Sequence, residues 1–331
     1  MSTPILDVRN LCKYFKTKRG LLQAVDHVSF TVEHGHTLGI VGESGCGKST
    51  VGRTILRLIE PTSGQVLFEG EDIAKLSRSQ LRKRRKDFQI IFQDPFASLD
   101  PRKTVSQIIS EPLLTNHIVK NRAECEKRVL ELMDRMGLAQ RWFNTYPHQL
   151  DGGRRQRIGI ARALAVNPKL VVCDEPVSAL DVSIQAQILN LLKDLQEQMG
   201  LTCIFITHDL SVVHHFSDEI AVMYLGHIVE KAPSEELFAN PLHPYTRALL
   251  SAIPIPDLSA KKERIILRGE VTSPIDLPNE CRFKKRCYEC VEACSASEPE
   301  LSEVLPGHFV ACYRCGGMAD AGVRDSQARM A

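Results

Sequence analysis

The stretch Gly42-Glu43-Ser44-Gly45-Cys46-Gly47-Lys48-Ser49 decides the fold of this chain. It matches the pattern G-x-x-x-x-G-K-[ST] and stands between an apolar run at 37–41 and a helix-forming stretch at 50–58. The glycines of such a loop let successive backbone N–H groups point inward, and the dipole of the following helix adds positive potential. The sequence therefore predicts a phosphate-binding loop in an α/β protein.

The residues of this loop are expected to share the work of holding a nucleotide. The Lys48 ammonium would neutralise the β- and γ-phosphate oxygens, and the Ser49 hydroxyl would ligate Mg²⁺. The predicted nucleotide contacts are Gly42, Ser44, Gly45, Cys46, Gly47, Lys48, Ser49 and Thr50.

A second candidate element lies at 170–175, where an apolar strand runs into Asp174-Glu175. A carboxylate at a strand end can hold Mg²⁺ through water, and a second one beside it can orient or deprotonate the attacking water. We assign the first role to Asp174 and the second to Glu175. A strand with this ending is weak evidence by itself, and it gains weight because the chain also has a phosphate loop.

Strands and helices alternate along most of the chain. Hydrophobic patterning predicts strands at 5–8, 23–30, 37–41, 88–92, 170–173, 203–207 and 219–224, and helices at 50–58, 122–136, 156–165, 184–199 and 209–216. This order indicates a parallel α/β sheet with its ligand chemistry at the carboxyl ends of the strands. From Pro241 onward this rhythm fades, so we predict a domain boundary near Ile255.

The composition excludes several other classes of protein. The 331 residues include 42 Lys+Arg against 40 Asp+Glu, a formal net charge of +2, and 43% of them are hydrophobic. Charge this balanced gives no support to nucleic-acid binding, and the apolar fraction is too high for a disordered chain. The start lacks a charged leader with an apolar segment, and no run reaches the roughly 18 to 20 apolar residues of a membrane helix. We therefore expect a globular protein that neither crosses a membrane nor is exported.

The stretch at 150–157, Leu-Asp-Gly-Gly-Arg-Arg-Gln-Arg, distinguishes this chain from most phosphate-loop proteins. It resembles the L-S-G-G-Q signature of ATP-binding cassette (ABC) ATPases. The resemblance implies that Asp151, Gly152 and Gly153 contact the ATP molecule held by a partner chain. It also implies that the protein is itself an ATPase.

Other stretches are similar to the remaining motifs of the same family. Gln93 looks like the Q-loop residue, which senses γ-phosphate, ligates Mg²⁺ and touches the membrane subunit. His208 looks like the switch histidine that contacts γ-phosphate, so Gln93, Glu175 and His208 form the implied catalytic set. Residues 11–15, Leu-Cys-Lys-Tyr-Phe, resemble the A-loop. Phe15 is the implied adenine-stacking ring, with the preceding tyrosine as the alternative.

The resemblance extends to the oligopeptide, dipeptide and nickel branch of ABC importers, through Glu-Pro-Leu-Leu at 111–114 and Asn-Pro-Leu-His-Pro-Tyr-Thr-Arg-Ala-Leu-Leu-Ser at 240–251. It implies an ATPase subunit that energises the import of peptides or related small solutes. The implied partners are a second ABC ATPase subunit, two transmembrane permease subunits and an extracytoplasmic solute-binding protein, without nucleic acid. The implied location is peripheral, on the cytoplasmic face of the inner membrane.

The same resemblance implies the domain organisation. Residues 1–255 would form the ABC-type nucleotide-binding domain, with a RecA-like parallel core, an antiparallel β subdomain and a helical subdomain at about 94–155. A small Pro/Cys-rich domain at 256–315 and a flexible tail at 316–331 would follow. Two rival functions stay open: a soluble ABC ATPase of DNA repair or translation, which the single phosphate loop disfavours, and a regulatory cassette with little hydrolysis.

The signature departs from the family at two positions, with Asp151 in place of Ser and Arg154 in place of Gln. Asp caps a helix as well as Ser does, so the local fold should be kept. An ionised carboxylate, however, repels γ-phosphate by about 4 kcal/mol at ~4 Å and an effective dielectric of ~20. Arg154, one helical turn on, could pair with Asp151 or reach the phosphate, and either contact would offset part of this repulsion. We hypothesise a heterodimer with one degenerate ATP site; the alternative is a tolerated variant with two working sites.

Six of the eleven cysteines fall late in the chain, at Cys281, Cys287, Cys290, Cys294, Cys312 and Cys315. An odd number of cysteines without a leader argues against a disulfide framework. The importer branch has four cysteines associated with a [4Fe-4S] cluster, and Cys281, Cys287, Cys294 and Cys312 match their spacing. Cys290 or Cys315 could substitute for one of them. Four thiolates suit Zn²⁺ equally well, and free thiols are the third alternative.

Overall fold

The computed structural model describes residues 4–253, 264–269 and 273–315. The chain divides into two compact units. Within the described residues, the signature unit takes its members from Met1–Ile5, Val32–Thr37 and Lys75–Ile206, and the phosphate-loop unit takes its members from Leu6–Thr31, Leu38–Ala74 and Thr207–Ala331. Of the helices within the described ranges, none combines the length and apolar character needed to span a bilayer.

The elements follow one another with short connections. The strands are β1 (Leu6–Thr17), β2 (Gly20–Val32), β3 (Thr37–Val41), β4 (Ser63–Phe68), β5 (Glu71–Asp72), β6 (Phe88–Ile91), β7 (Leu170–Asp174), β8 (Thr202–Thr207), β9 (Glu219–Tyr224), β10 (His227–Pro233), β11 (Ser302–Leu305) and β12 (His308–Val310). The helices are α1 (Lys48–Ile55), α2 (Arg78–Arg84), α3 (Pro95–Ser98), α4 (Val105–Thr115), α5 (Arg122–Arg135), α6 (Gly152–Leu164), α7 (Val182–Met199), α8 (Leu210–Phe216), α9 (Ser234–Ala239) and α10 (Pro244–Ser251).

The phosphate-loop unit contains strands of two kinds. One sheet has the order β2-β1-β4-β5, in which β4 pairs antiparallel with both β1 and β5. The other strands follow the order β11-β12-β10-β9-β3, in which β3 and β9 are parallel and the other pairs antiparallel. Every residue of β3 is buried, as in a strand covered on both faces. This strand leads directly into the phosphate loop and α1.

The signature unit is built on the parallel strands β6, β7 and β8. All five residues of β7 are buried, which matches its unbroken apolar sequence. Helix α5 buries Val129, Leu132 and Met133, a spacing that places them on one face of the helix. The parallel alignment places the carboxyl ends of β6 and β7 side by side, and this edge carries the candidate catalytic residues.

Most predicted elements are present, with different ends. Strand β1 runs on to Thr17 instead of stopping at residue 8, and α6 begins at Gly152 instead of residue 156 because Asp151 caps it. Regular structure also continues after Pro241, as α10 and the β11–β12 hairpin. The predicted boundary near Ile255 and the predicted tail at 316–331 lie outside the described residues, so the division into domains stays a prediction.

Candidate nucleotide site

The phosphate loop joins β3 to α1, and its shape requires glycine at two points. Gly45 and Gly47 have φ angles of +79° and +108°, in the left-handed region that side chains disfavour. A Cβ atom on Gly47 would lie 2.0 Å from the carbonyl oxygen of Ala24. Because that oxygen belongs to the backbone, no change of side chain would relieve the clash. Ser44 and Gly45 are exposed at the tip of the loop.

The Lys48 side chain folds back over the loop that precedes it. Its Nζ donates hydrogen bonds to the carbonyl oxygens of Gly42, at 2.8 Å, and Glu43, at 2.9 Å, and the residue is 4% exposed. Cys46 is buried as well, and burial raises the pKa of its thiol. Ser49 and Thr50 are half-buried in the first turn of α1. The ammonium and the N-terminal N–H groups of α1 thus stand together at the same loop.

The predicted adenine-binding ring lies near the end of β1. Phe15 is half-buried, and the Nζ of Lys13 lies 4.9 Å from the centre of its ring. The hydroxyl of Tyr14 donates a hydrogen bond to the Asp26 carboxylate. Burial, together with that bond, raises the pKa of Tyr14, so its phenol stays protonated. This engagement favours Phe15 over Tyr14 as the ring that would meet adenine.

Asp26 collects several partners beneath the first hairpin. The Arg282 guanidinium pairs with its carboxylate, and His227 Nε2 lies 3.0 Å from it. Burial opposes ionisation, but hydrogen bonds from His227 and Tyr14 and the charge of Arg282 hold the pKa of Asp26 well below its usual range. The Asp26, His227 and Glu298 side chains lie close enough together to hold a cation. Arg282, whose Nε is 2.9 Å from Glu298, already supplies the positive charge there.

His208 lies between β8 and α8. It is exposed, as is the following Asp209. The Asp209 carboxylate caps α8 by accepting a hydrogen bond of 2.9 Å from the N–H of Ser211. The cap fixes the turn on which the histidine is presented to solvent.

In the signature unit, Asp174 and Glu175 stand at the end of β7. Asp174 is fully buried, whereas Glu175 is half-buried and has a φ of +47°. A non-glycine residue in this region costs on the order of 1 to 3 kcal/mol, and such strain is concentrated at functional sites. Gln93 Nε2 donates to Glu175 Oε2 at 2.8 Å and lies 3.3 Å from the hydroxyl of Ser178. The structure therefore brings two of the three predicted catalytic residues into direct contact.

The signature stretch opens α6. The Asp151 carboxylate accepts a hydrogen bond of 2.8 Å from the N–H of Arg154 and also pairs with its guanidinium. The two side chains are 55% and 44% exposed. The pairing expected from their spacing is present, and Asp151 performs the helix-capping role that Ser has in the family.

The next two residues of α6 point inward and connect it to the segment around Gln93. Arg155 Nε donates to the carbonyl oxygen of Pro147 at 2.6 Å, and its guanidinium lies 3.6 Å from the centre of the Phe96 ring. Gln156 Nε2 donates to the carbonyl oxygen of Phe92 at 3.4 Å. Through these contacts, a movement of α6 would also displace the residues on either side of Gln93.

The two signature glycines face side chains rather than backbone. A Cβ atom on Gly153 would lie 2.7 Å from Ile184 Cγ2, and one on Gly152 would lie 3.1 Å from Leu180 Cδ2. A cleft of about 210 Å³ opens beside them, lined by Gly137, Asp151, Gly153, Arg154, Arg157, Ile184 and Gln187. The positive charges of Arg154 and Arg157 in this cleft offset the negative charge of Asp151.

The four cysteines of the predicted metal site influence one another. Burial and the neighbouring thiols of Cys294, Cys312 and Cys287 raise the pKa of Cys281 to about 12. Burial likewise raises the pKa of Cys287 to about 11, with contributions from Cys312 and Cys294. A hydrogen bond from the Cys315 thiol lowers the pKa of Cys312 to about 6. Grouped sulfur donors are the ligands that iron–sulfur clusters and Zn²⁺ take, so this set fits a soft metal.

Sequence reasoning missed four residues around the predicted nucleotide site. Tyr245 and Arg286 bond to Glu43 of the phosphate loop. Asp26 bonds to Tyr14 and pairs with Arg282. Tyr245 lies inside the stretch at 240–251 that carried the family resemblance. The two arginines lie next to Cys281 and Cys287, so attention to the neighbours of the cysteines could have found them. For Asp26 the sequence holds no comparable signal.

The chain resembles known proteins along nearly its whole length. The putative peptide import ATP-binding protein of Brucella ovis is 53% identical over 312 residues, which cover 94% of this chain and 98% of that protein. The oligopeptide transport ATP-binding protein AppF of Bacillus subtilis is 54% identical over 319 residues, 93% and 97% of the two chains. The dipeptide transport ATP-binding protein DppF of Haemophilus influenzae is 47% identical, covering 94% and 97%.

Solved structures confirm the predicted cassette fold. The dimeric, post-hydrolysis ATP-binding cassette MJ0796 bound to ADP and Pi has a TM-score of 0.64 and 32% identity, covering 69% of this chain and 98% of its own. CbiO1 of Clostridium perfringens, part of the ABC transporter complex cbiONQ, has a TM-score of 0.64 and 30% identity, with coverages of 72% and 92%.

Two family models match separate parts of the chain. The ABC transporter model matches residues 25–178, which include the phosphate loop, the signature and Asp174. The fold and these motifs define an ABC-type ATPase, as predicted. The model of the oligopeptide/dipeptide transporter C-terminal region matches residues 229–294. The chain therefore belongs to the ABC transporter family, in the branch that has this C-terminal region.

Proposed function

We propose that this chain hydrolyses ATP to energise the import of peptides or related small solutes. The observation that carries the proposal is the joining, in one chain, of an ABC cassette to the oligopeptide/dipeptide C-terminal region. Relatives named for peptide, oligopeptide and dipeptide transport match this arrangement over nearly their full length.

The proposed complex contains further subunits. A second ABC ATPase subunit would pair with this one, and both would bind two transmembrane permease subunits. An extracytoplasmic solute-binding protein would deliver the solute to the permease. This chain would then be peripheral, on the cytoplasmic face of the inner membrane. The exposed position of Asp151 supports the pairing, because a residue that serves a partner's nucleotide has to be reachable from outside.

The phosphate loop would bind the nucleotide first. Phe15 would stack on adenine, and the loop N–H groups and Lys48 would hold the β- and γ-phosphates, with the lysine exchanging loop carbonyls for phosphate oxygens. Ser49, Gln93 and Asp174 would hold Mg²⁺, which neutralises charge on the phosphate oxygens when it is bound.

Hydrolysis would then need a positioned water molecule. Glu175 would accept its proton, and Gln93 would keep the carboxylate aligned through the 2.8 Å hydrogen bond between them. His208 would contact the γ-phosphate from its exposed turn. This division of roles follows the family pattern and is supported by the strained backbone at Glu175.

We further propose that the ATP site served by this chain's signature is the weaker of two in a heterodimer. The Asp151 carboxylate brings negative charge where the family has a neutral hydroxyl. The Arg154 pairing offsets this charge in part, but the two half-exposed side chains are screened by solvent. The chain's own Lys48, Asp174 and Glu175 would remain competent with an intact signature on the partner.

Cys281, Cys287, Cys294 and Cys312 are proposed to bind a [4Fe-4S] cluster. Zn²⁺ is the alternative for the same four thiolates because it also takes sulfur ligands, but the match to the cysteine spacing of the importer branch favours the cluster. Its role would be to clamp a segment that has little core of its own. Iron and acid-labile sulfide in a brown preparation would support the proposal, and stoichiometric zinc in a colourless one would refute it.

The transport function can be tested by co-expression with candidate permease, ATPase and solute-binding subunits from the same organism. The purified complex, reconstituted in liposomes, should hydrolyse ATP faster when its binding protein carries a peptide. Glu175→Gln should abolish that response while ATP binding is retained. A complex that responds to another class of solute, or assembles with no membrane subunit, would contradict the proposed function.

A further inference from the structure

Glu43, the second residue of the phosphate loop, is bonded to two side chains from the C-terminal part of the chain. Its carboxylate accepts two hydrogen bonds from the Arg286 guanidinium, at 2.6 and 3.1 Å. Its backbone N–H donates to the hydroxyl of Tyr245 at 3.0 Å, and its carbonyl oxygen accepts from Lys48 Nζ at 2.9 Å. Every polar group of this residue is therefore held, two of them by residues more than 200 positions along the chain.

The two C-terminal partners are themselves firmly placed. Tyr245 is fully buried and packs against Phe283 and Tyr224, with ring centres 5.4 and 4.8 Å apart. The Arg286 side chain is 9% exposed, and its guanidinium lies 5.9 Å from the centre of the Tyr224 ring. The arginine therefore reaches Glu43 from a fixed position. A bidentate pair of this kind fixes orientation as well as charge.

Charge gives this arrangement a consequence for nucleotide binding. Glu43 is the second residue of a loop that must attract phosphate, and an uncompensated carboxylate there would repel it. Position matters as well, because the Glu43 carbonyl is one of the two groups that hold Lys48. The pairing of Arg286 with Glu43, which we call the clamp, would therefore neutralise the Glu43 carboxylate and keep Lys48 in place.

We propose that Arg286, assisted by Tyr245, is a positioning residue for the phosphate loop. Through Arg286, the cysteine-rich segment (residues 281–315, which contain the six late cysteines) sets the affinity for ATP. This inference rests on the proposed function, since it takes the loop to be the ATP site. Arg286 directly precedes Cys287, so a displacement of the segment would move the arginine that neutralises Glu43. The segment would then act on the nucleotide site in addition to stabilising itself.

The test is a double-mutant cycle on the full-length chain, with the dissociation constant for MgATP measured by titration with a fluorescent ATP analogue. Arg286→Gln should raise this constant about tenfold, within the usual range for coupled sites. In a Glu43→Gln background the same change should raise it about twofold or less, because no carboxylate is left to neutralise. Arg286→Lys should restore part of the affinity, since it keeps the charge and loses the fork.

A matched control is available in α10, which also contacts this segment. Arg247 pairs with Glu289 at 3.2 Å and so also fastens the cysteine-rich segment. Its Nε donates to the carbonyl oxygen of Pro241, and neither of these two partners belongs to the phosphate loop. Arg247→Gln should leave the dissociation constant within about twofold of wild type. Circular dichroism and thermal unfolding of each variant would identify loss of fold, and Tyr245→Phe gives a second route, with an expected increase of about threefold.

The outcomes separate this inference from the proposed function. If the wild-type chain and its complex bind no ATP, the proposed function fails. If wild type binds ATP and Arg286→Gln binds it equally well, the clamp is overturned alone. An equal effect of Arg286→Gln with and without the Glu43 carboxylate would also overturn it, because the arginine would then act by another route.

Discussion

The phosphate loop and the signature stretch are both glycine-rich turns that open a helix, but different atoms constrain them. Gly47 faces the backbone oxygen of Ala24, and Lys48 is bonded to backbone carbonyls of its own loop. Gly153 faces a side-chain methyl of Ile184, and Asp151 bonds chiefly to Arg154. Backbone constraints leave no room for substitution, whereas side-chain constraints can be met by a compensating change. The signature departs from the family at Asp151 and Arg154, which bond to each other, whereas Lys48 of the phosphate loop bonds to backbone and that loop keeps the family pattern.

The largest expected effect concerns Lys48. Lys48→Ala removes the positive charge that the phosphate loop holds for the nucleotide, and we expect ATP hydrolysis by the assembled complex to fall on the order of 10³-fold. Steady-state phosphate release measures it. Lys285→Ala, which removes an exposed lysine from the other end of the chain, should have no comparable effect. A complex that keeps a tenth of its activity without Lys48 would show that the loop is not the working site.

The next test compares the two glycines by stability. Gly47→Ala should destabilise the protein by about 3 kcal/mol or more, since a left-handed φ and a backbone contact are both violated. Gly153→Ala should cost about 1 to 2 kcal/mol, and Ile184→Leu in the same chain should recover most of that by removing the branched methyl. Urea unfolding of the three variants is the measurement. Equal costs for both glycines, with no recovery, would contradict the distinction.

How much the sequence foretold depends on the range of the interactions. Strands β3 and β9 and the phosphate loop were predicted with correct positions, because a run of apolar residues and a glycine pattern are local signals. The predicted start of helix α6, at residue 156, was four residues too late. The capping role of Asp151 was recognised, but the predicted helix was not extended back to Gly152. The short strands β11 and β12 carry too little pattern to be seen before their pairing with β10 is known.

Long-range contacts lay beyond prediction from one sequence. Gln93 and Glu175 were each assigned by resemblance, but their hydrogen bond spans 82 positions and has no local signature. The pair between Glu43 and Arg286 spans 243 positions, and each residue looks like an ordinary surface charge in its own stretch. Residue types fix what a site can do chemically, whereas the fold decides which of them meet.

A smaller effect is expected from restoring the family signature. Asp151→Ser combined with Arg154→Gln should raise ATP hydrolysis by the assembled complex about two- to fivefold, because it removes the carboxylate that we propose lies opposite the γ-phosphate bound by a partner. Arg154→Gln alone should lower activity or leave it unchanged, since the carboxylate then loses its partner. Unchanged activity in the double variant would mean that both composite sites already work, and the hypothesis of a degenerate site would be abandoned.

The smallest expected effects test whether any gain in activity comes from charge rather than from the helix. Asp151→Ser keeps an oxygen acceptor for the N–H of Arg154 and should change the free energy of unfolding by less than about 0.5 kcal/mol, whereas Asp151→Ala should cost about 1 kcal/mol. Arg154→Gln should cost less than about 1 kcal/mol, because the ion pair is half-exposed. Chemical unfolding of the single variants supplies these values. A loss of several kcal/mol in Asp151→Ser would show that the carboxylate holds α6 in place in a way that a hydroxyl cannot, and the departure from the family would then be a requirement of this chain's fold rather than of its pairing.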